Sequence, residues 1–590
     1  MLTANTDTVE GTAGNDTINA PIDVINGSAS TLNALDSVDG GAGTDTLKIE
    51  GAQALTGTIE NIEVARYLGD ISGLGAGGTI TVDASKVGGL EQFWFDAVTI
   101  GSDKLVVSNL ASEQAVGVKG TMTSGSLDAS YAAAATDAVI ALDGAAGDNS
   151  GNIAVNTLGA GLQTVSVTGS TAKTASVTGS VTLDDSTNNV KTLNLNADSG
   201  KSLQVNANAL TGLTTINAAA AQGAVDLTAI ITADLTITGG AGNDRFDLGG
   251  SLTSADKIDG GAGNDTLAVN YANGNIFGTA TLTNVKNIET AELKAGAFTA
   301  TDAAVFDISK VGAANAKVGT LTLADASNTT AESASLAIQG IGNGGTVELA
   351  GSLVATTATQ DTISTSITVG GAQTRTDDVL NVELGTSTAG VTVQSLAIAE
   401  VETVNITSQG GANTVSSLDL GDKTSTLDLS GDKAITISAF AGDDALTTID
   451  ASDMTANVII SSAVTLGASA SGVTYTGGSK VDTYTASGKG DTITGGAGAD
   501  VIALAGGSDT VVFTSIEDST ATSKDVISNF TTGVDVLNFD GLLQGDFGYL
   551  GTASFNGAGN TEARFANGSS NDLLVDINGD GEPPLFTRVA

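Results

Sequence analysis

Gly495-Gly496-Ala497-Gly498-Ala499-Asp500-Val501-Ile502-Ala503 fits a nine-residue pattern, G-G-x-G-x-D-x-U-x, in which U is a bulky aliphatic. The match is in phase with its surroundings. Asp482, Asp491, Asp500 and Asp509 stand nine residues apart, and Tyr484, Ile493, Ile502 and Val511 each follow two residues later. Gly477 to Val512 therefore reads as four consecutive units. Each unit is a tight turn plus a very short strand, so two units close one coil of a parallel β-roll. Glycine lets the backbone turn where a side chain would clash. The aliphatic residue is expected to point into the narrow interior. The Asp carboxylate and the turn carbonyls are expected to face outward at the bend.

Oxygen donors repeated along one edge point to calcium, which takes several oxygen ligands at roughly 2.3–2.6 Å. Units on one edge are alternate ones, so Asp482 pairs with Asp500, near Gly495 and Gly498, and Asp491 pairs with Asp509. The pattern recurs elsewhere. Gly40 to Leu47 is a full match, with Gly43 and Asp45, and an in-phase unit before it carries Asp36. Gly11 to Ile18 is a near match with Asp16. Gly239 to Asp247 matches with Gly242 and Asp244, and Gly260 to Ala268 matches with Gly263 and Asp265. Ser251 to Asp259 is a degenerate unit with Asp256, and a weaker pair centres on Asp444 and Asp453. One isolated copy is as readily an ordinary Gly/Asp turn. Four full copies within an in-phase array are not.

Composition sets the outer limits. The 590-residue chain has 22 Lys and Arg against 66 Asp and Glu, a formal net charge of −44. Nucleic acid is excluded as a partner, because phosphate binding needs a basic face. The surplus carboxylates need solvent or metal, so folding is expected to couple to calcium. The chain has no His and no Cys. This removes disulfides, thiolate and His-ligated zinc sites, and His-based triads, but leaves carboxylate chemistry open. Aromatics make up only 4 %, so the core must be built from Val, Leu, Ile and Ala. The N-terminal residues have neither the basic nor the apolar region of a secretory signal peptide. No run approaches the roughly 20 apolar residues of a membrane span.

Short strands with period-two alternation, such as Thr192-Leu193-Asn194-Leu195, run between the nonapeptides. The pattern predicts an all-β chain: parallel β-roll or β-solenoid segments with β-sandwich-like modules and few short helices. Solenoid and sandwich are not separable at this stage. Three related modules each end in a second strand containing Glu: Asn61-Ile62-Glu63, Asn287-Ile288-Glu289 and Glu400-Val401-Glu402. A solvated strand-edge role is the simpler reading of that Glu, with calcium ligation the other. Leu127 to Ala135 is expected to start a short helix, because Ala favours helix. The expected segments are 1–75 (nonapeptide and first β-module), 76–238 (solenoid-like strands), 239–340 (central nonapeptides and second module), 341–476 (third module), 477–515 (calcium β-roll) and 516–590 (C-terminal export region). Asp576, Asn578 and Asp580 alternate as in the first half of an EF-hand loop. Thr587 stands where the bidentate Glu would be, which leaves a single calcium turn or a plain Asx turn.

The nonapeptides resemble those of the RTX family of type I-secreted bacterial proteins. The stretch from Asp525 onward is similar to the C-terminal region of secreted RTX peptidases: Asp525-Val526-Ile527-Ser528-Asn529-Phe530, then Asp535-Val536-Leu537-Asn538-Phe539, then Asp576 to Gly581. That resemblance implies an uncleaved C-terminal export signal, passage through the type I secretion machinery and release into a calcium-rich exterior. In overall character the chain resembles RTX-type surface-layer proteins. The expected function is structural and non-enzymatic: an exported protein that folds on Ca2+ and associates with itself in a cell-surface lattice or filament. The alternative is a calcium-dependent adhesin or biofilm-matrix protein that binds glycan, with cell-surface polysaccharide as partner. An exposed Trp94 would favour it, although a lone Trp is more often core. A Gly73-x-Gly75-x-x-Gly78 match to a dinucleotide fingerprint lacks a strand–helix context and is discounted.

Overall fold

The computed structural model describes residues 1–21, 30–51, 53–70, 79–99, 104–121, 126–146, 152–158, 161–172, 180–185, 187–278, 282–299, 301–323, 332–355, 361–441, 444–466, 471–566 and 571–589. The Gly73–Gly78 fingerprint lies outside them. Two compact units are formed, Met1–Val269 with Leu282–Glu289, and Asn270–Thr281 with Thr290–Ala590.

In the first unit, successive coils lay their strands in sequence order along parallel sheets. One sheet carries Thr46–Glu50, Val64–Asp70, Gln92–Thr99, Ala115–Thr121, Asp137–Ala146 and Thr164–Thr171, among others. The facing sheet carries Thr79–Asp83, Lys104–Leu110, Ser126–Tyr131 and their successors. Each strand pairs in register with the strand one coil on, for example Val165↔Leu193 and Val167↔Leu195. Alternation then stacks like side chains in rows. Thr192–Ala197 buries Leu193, Leu195 and Ala197 and turns its polar residues outward. Tyr67, Phe93 and Phe95 form an aromatic cluster in the interior, with ring centroids 5.3–6.1 Å apart. A fully buried aliphatic or aromatic side chain of this kind contributes roughly 1.5–3 kcal/mol.

The second unit begins with three parallel sheets. One runs from Thr290–Leu293 to Val536–Asn538, the second from Gly296–Phe298 to Asp525–Ser528, and the third from Gly274–Asn275 to Phe440–Ala441. Beyond Phe440–Ala441 the third sheet ends, and after Thr448–Met454 each coil shrinks to two three-residue strands, from Val458–Ile460 to Thr510–Val512. This is the roll, with Tyr475, Tyr484, Ile493, Ile502 and Val511 buried inside. Strand Leu585–Val589 then pairs with Asp525–Ser528 and leads into the antiparallel strands Asp572–Asp576 and Glu562–Phe565.

The regions expected as sandwich-like modules are coils of parallel solenoid, since their strands pair parallel. The expected helix at Leu127–Ala135 is instead strand Ser126–Tyr131 followed by a turn. Pairing on both sides, to Lys104–Leu110 and Asn152–Leu158, satisfies its backbone and outweighs the local preference of alanine. The ladder runs uninterrupted across residue 239, with Thr236–Thr238 paired to Lys257–Asp259.

Candidate metal centre

At the bends each nonapeptide Asp lies against the backbone of the preceding coil. In the roll the Asp482 amide donates to Asp500 Oδ1 and the Asp491 amide to Asp509 Oδ1, both at 2.8 Å. The rows continue to Asp525 and Asp535, which accept from the amides of Asp500 (2.9 Å) and Asp509 (3.0 Å). The same bond joins Asp7 to Asp36 (2.8 Å), Asp16 to Asp45 (2.7 Å), Leu235 to Asp256 (2.6 Å) and Asp244 to Asp265 (2.7 Å). Amides facing the next coil need an acceptor when stacking excludes water. That need turns the carboxylates inward, against the expectation that they face outward. Asp45, Asp265, Asp500 and Asp509 are 0 % exposed, and Asp36, Asp244, Asp256, Asp482 and Asp491 are buried. Asp16 alone of this set is partly exposed.

The second carboxylate oxygen divides the turns into two kinds. In most it is closed off by an amide of its own turn: Asp244 by Gly240 (2.7 Å), Asp482 by Gly478 (2.7 Å), Asp491 by Ser487 (2.5 Å) and Asp16 by Thr12 (2.6 Å). Asp36 and Asp256 are closed likewise by Asn33 and Thr253. Asp509 receives a longer bond from Ala505 (3.4 Å). In Asp45, Asp265 and Asp500, Oδ2 is buried with no hydrogen-bond partner. Their turns share a backbone signature. The second glycine is left-handed in each (Gly41 φ 92°, Gly261 φ 100°, Gly496 φ 87°), as is the fourth-position glycine (Gly43 φ 136°, Gly263 φ 132°, Gly498 φ 158°). That conformation points the amide elsewhere: Gly41 donates to Asp39 Oδ1 (2.9 Å) rather than to Asp45.

Backbone packs closely beside the orphan oxygens: a Cβ on Gly40 or Gly260 would meet the carbonyl of Asn61 or Asn287 in the following coil at 1.9 or 1.8 Å. A Cβ on Gly260 or Gly495 would sit 2.5 Å from Oδ2 of Asp265 or Asp500, and one on Gly40 would sit 2.8 Å from Oδ2 of Asp45. A Cβ on Gly41, Gly261 or Gly496 would sit 2.1, 2.3 or 2.2 Å from the carbonyl oxygen of Thr12, Gly240 or Gly478 in the preceding coil. On Gly263 or Gly498 it would meet the carbonyl of Gly242 or Lys480 at 2.3 or 2.4 Å. The Thr12, Gly240 and Gly478 carbonyls accept the amides of Ala42, Ala262 and Ala497 in the next coil (3.0, 2.9 and 3.2 Å), so the stacked turns bring carbonyl and carboxylate oxygens to the same edge. These are hard donors with no nitrogen or sulfur among them, which suits calcium. Asp16 with Asp45, Asp244 with Asp265, and Asp482 with Asp500 are the pairs that would hold the ion, together with those carbonyls. No group of three or more acidic side chains converges among the described residues.

The carboxylates in the rows are hard to ionise without a cation. Burial pushes Asp500 up to about 8, Asp525 to about 7, and Asp265 and Asp482 to about 6. Burial also raises Asp244, Asp491 and Asp509. Asp16, by contrast, is lowered by the hydrogen bonds from Thr12.

Sequence reading missed several members of the rows. Glu63 and Glu289 are half-buried and not free. Their Oε2 atoms accept the amides of Asp45 (2.7 Å) and Asp265 (2.8 Å), so each takes the place of Asp in the following coil. Glu402 does the same for Asp378 (2.9 Å). The recurrence of Glu one coil after Asp was the available signal. Asp525 and Asp535 were read as export-signal residues, although they stand at the row positions. Asp444 and Asp453 are exposed and join no carboxylate row. Asp576 is buried, and its two oxygens accept the amides of Gly579 and Gly581 at 2.8 Å, which closes an Asx-type turn. Asn578 and Asp580 are exposed and bond to each other (2.9 Å).

Comparison with protein families agrees with this geometry. The RTX calcium-binding nonapeptide repeat matches residues 3–20, 236–251 and 252–269, which carry Asp16, Asp244 and Asp265. The Peptidase M10 serralysin C-terminal family matches residues 424–589, which include the roll and the strands after it. No curated protein matches the chain. No helix among the described residues is long and apolar enough to cross a membrane. The chain therefore carries the calcium-binding nonapeptide repeats and the serralysin-type C-terminal domain that typify the extracellular, type I-secreted RTX proteins.

Proposed function

We propose that this protein is a non-enzymatic building block of an extracellular layer or filament, such as a surface layer. It folds as calcium enters its turns and then associates side by side through ions shared between acidic faces. The observation that carries the reading is the set of orphan oxygens on Asp45, Asp265 and Asp500. A buried carboxylate oxygen without a donor is relieved by a bound cation or by a proton, and at neutral pH in a calcium-rich medium the cation is the stronger competitor. A net charge of −44 makes neighbouring copies repel unless cations bridge them. Glycoside cleavage by carboxylates needs two acids roughly 5–9.5 Å apart across an open cleft. The regularly paired acids here are buried in rows along the bends, which favours a structural role.

A chelator titration followed by circular dichroism and light scattering tests the proposal, with negative-stain images at each end point. Loss of β-structure and of assemblies on chelation, and their return with calcium, is expected. Unchanged fold and unchanged particle size in excess chelator would refute it. Calcium-dependent folding of a strict monomer would remove the assembly half alone.

A further inference from the structure

The outer face of the first unit holds a groove of about 650 Å³ beside the single tryptophan of the chain. Arg66, Trp94, Gly117, Ala141 and Thr168 stand in register across five adjacent parallel strands. Phe93 and Phe95 point into the core, so alternation turns Trp94 outward, where it is half-buried. The core position that is commoner for a lone Trp is not the one it takes. The indole lies flat across Gly117, where a Cβ would come within 2.4 Å of two ring carbons. Ala141, and Ala115 and Val139 in the adjacent row, keep the floor shallow, and residues 111–114 form a wall.

The indole is held in place. Its Nε1 donates to Gln92 Oε1 (2.8 Å), and the Arg66 guanidinium sits over the ring at 5.4 Å, anchored by an ion pair to Asp96 (2.8 Å). On the wall, Glu113 has a left-handed backbone (φ 68°). The same conformation recurs at Asn61, Asn109, Asn287 and Glu400, so it marks a bend of the coil. With Arg66 neutralised by Asp96, the charges left at the groove are Glu91 and Glu113, which make no ion pair among the described residues. An anionic polymer is repelled. The complementary ligand is uncharged, with a flat face of polarised C–H groups for the indole and hydroxyls for the carboxylates and the Gln92 amide.

We infer that this groove is a subsite for a neutral saccharide chain, packed against the part of the Trp94 indole that Gly117 and Arg66 leave open and hydrogen-bonded by Glu91, Gln92 and Glu113. The inference rests on these residues and not on calcium-driven assembly. The full-length protein in calcium is titrated with cellohexaose, maltohexaose and chitohexaose, with hexagalacturonate as the acidic counterpart. The emission of Trp94 and its quenching by acrylamide are followed. A saturable shift with protection from acrylamide is expected for at least one neutral hexasaccharide, and none for hexagalacturonate. Ala141→Arg and Thr168→Arg place bulk on the floor away from the indole. Each, once shown folded by circular dichroism, is expected to lose the response. No response to any neutral probe, a preference for the acidic one, or a response that survives both substitutions overturns the inference.

Discussion

Asp500→Asn separates a calcium ligand from a carboxyl that merely completes the fold. Asparagine keeps the acceptor for the Asp482 amide and replaces only the orphan Oδ2 with an NH2 group. With calcium present, loss of one charged donor weakens binding by about 100-fold, which lowers stability by about 3 kcal/mol. Without calcium the sign reverses. The carboxyl of Asp500 rises from 3.8 to about 8 in the folded protein. A group raised in this way contributes stability that is complete below its unfolded value, near pH 4, and lost as the pH climbs through about 8. Four units at about 1.4 kcal/mol each set an upper limit of about 6 kcal/mol, which local relaxation and water entry on ionisation reduce to on the order of 3 kcal/mol. Asparagine does not titrate and escapes that loss. Thermal melts of wild type and variant should therefore cross: the variant melts lower in saturating calcium and higher in chelator at pH 9, with the chelator advantage gone at pH 4. Equal destabilisation with and without calcium would show that Oδ2 does not face a cation.

Four further outcomes follow from the same geometry. Gly496→Ala forces a side chain onto a left-handed residue and within 2.2 Å of the Gly478 carbonyl, so it should cost about 3 kcal/mol or more in a calcium-saturated melt. Gly488→Ala, with open space around it, should stay within about 0.5 kcal/mol in the same assay. Glu402→Ala leaves the buried Asp378 amide without its acceptor and should lose about 1–3 kcal/mol in denaturant unfolding, with Glu402→Gln recovering most of it. In chelator, the wild-type protein should gain stability as the pH falls from 8 toward 4, because raised carboxyls at Asp265, Asp482, Asp500 and Asp525 take up protons as it folds. A melting temperature that falls over that interval would contradict the buried-row description.

The coil was legible because its periodicities are short. Nine-residue spacing gives the turn, the residue two after Asp gives the interior, and the step between alternate units pairs Asp482 with Asp500. The state of the carboxylates was not legible, because it depends on stacking between turns. Gly239-Gly240-Ala241-Gly242-Asn243-Asp244 and Gly260-Gly261-Ala262-Gly263-Asn264-Asp265 are the same hexapeptide. Yet Gly240 donates to Asp244, whereas left-handed Gly261 leaves Asp265 Oδ2 without a donor. Each turn reads its neighbour, and no local pattern encodes the difference. Glu63 escaped for a related reason: it keeps the eighteen-residue step that also links Asp482 to Asp500, but it is a longer acid and follows Gly57-Thr58-Ile59-Glu60-Asn61-Ile62, which lacks the glycine pattern of the nonapeptide. Ala129 failed in the opposite direction, with local helix preference overruled by strands on both sides.

The rows of Asp bonds are directional. In every one the earlier coil supplies the proton and the later coil supplies the oxygen, from Asp7 on Asp36 through Asp509 on Asp535. A stack that grows from its C-terminal end therefore meets each arriving segment with a template of ready acceptors. One that grows from the other end offers only donors, and the negative oxygens must arrive from solution. The two orders of winding are therefore chemically unequal.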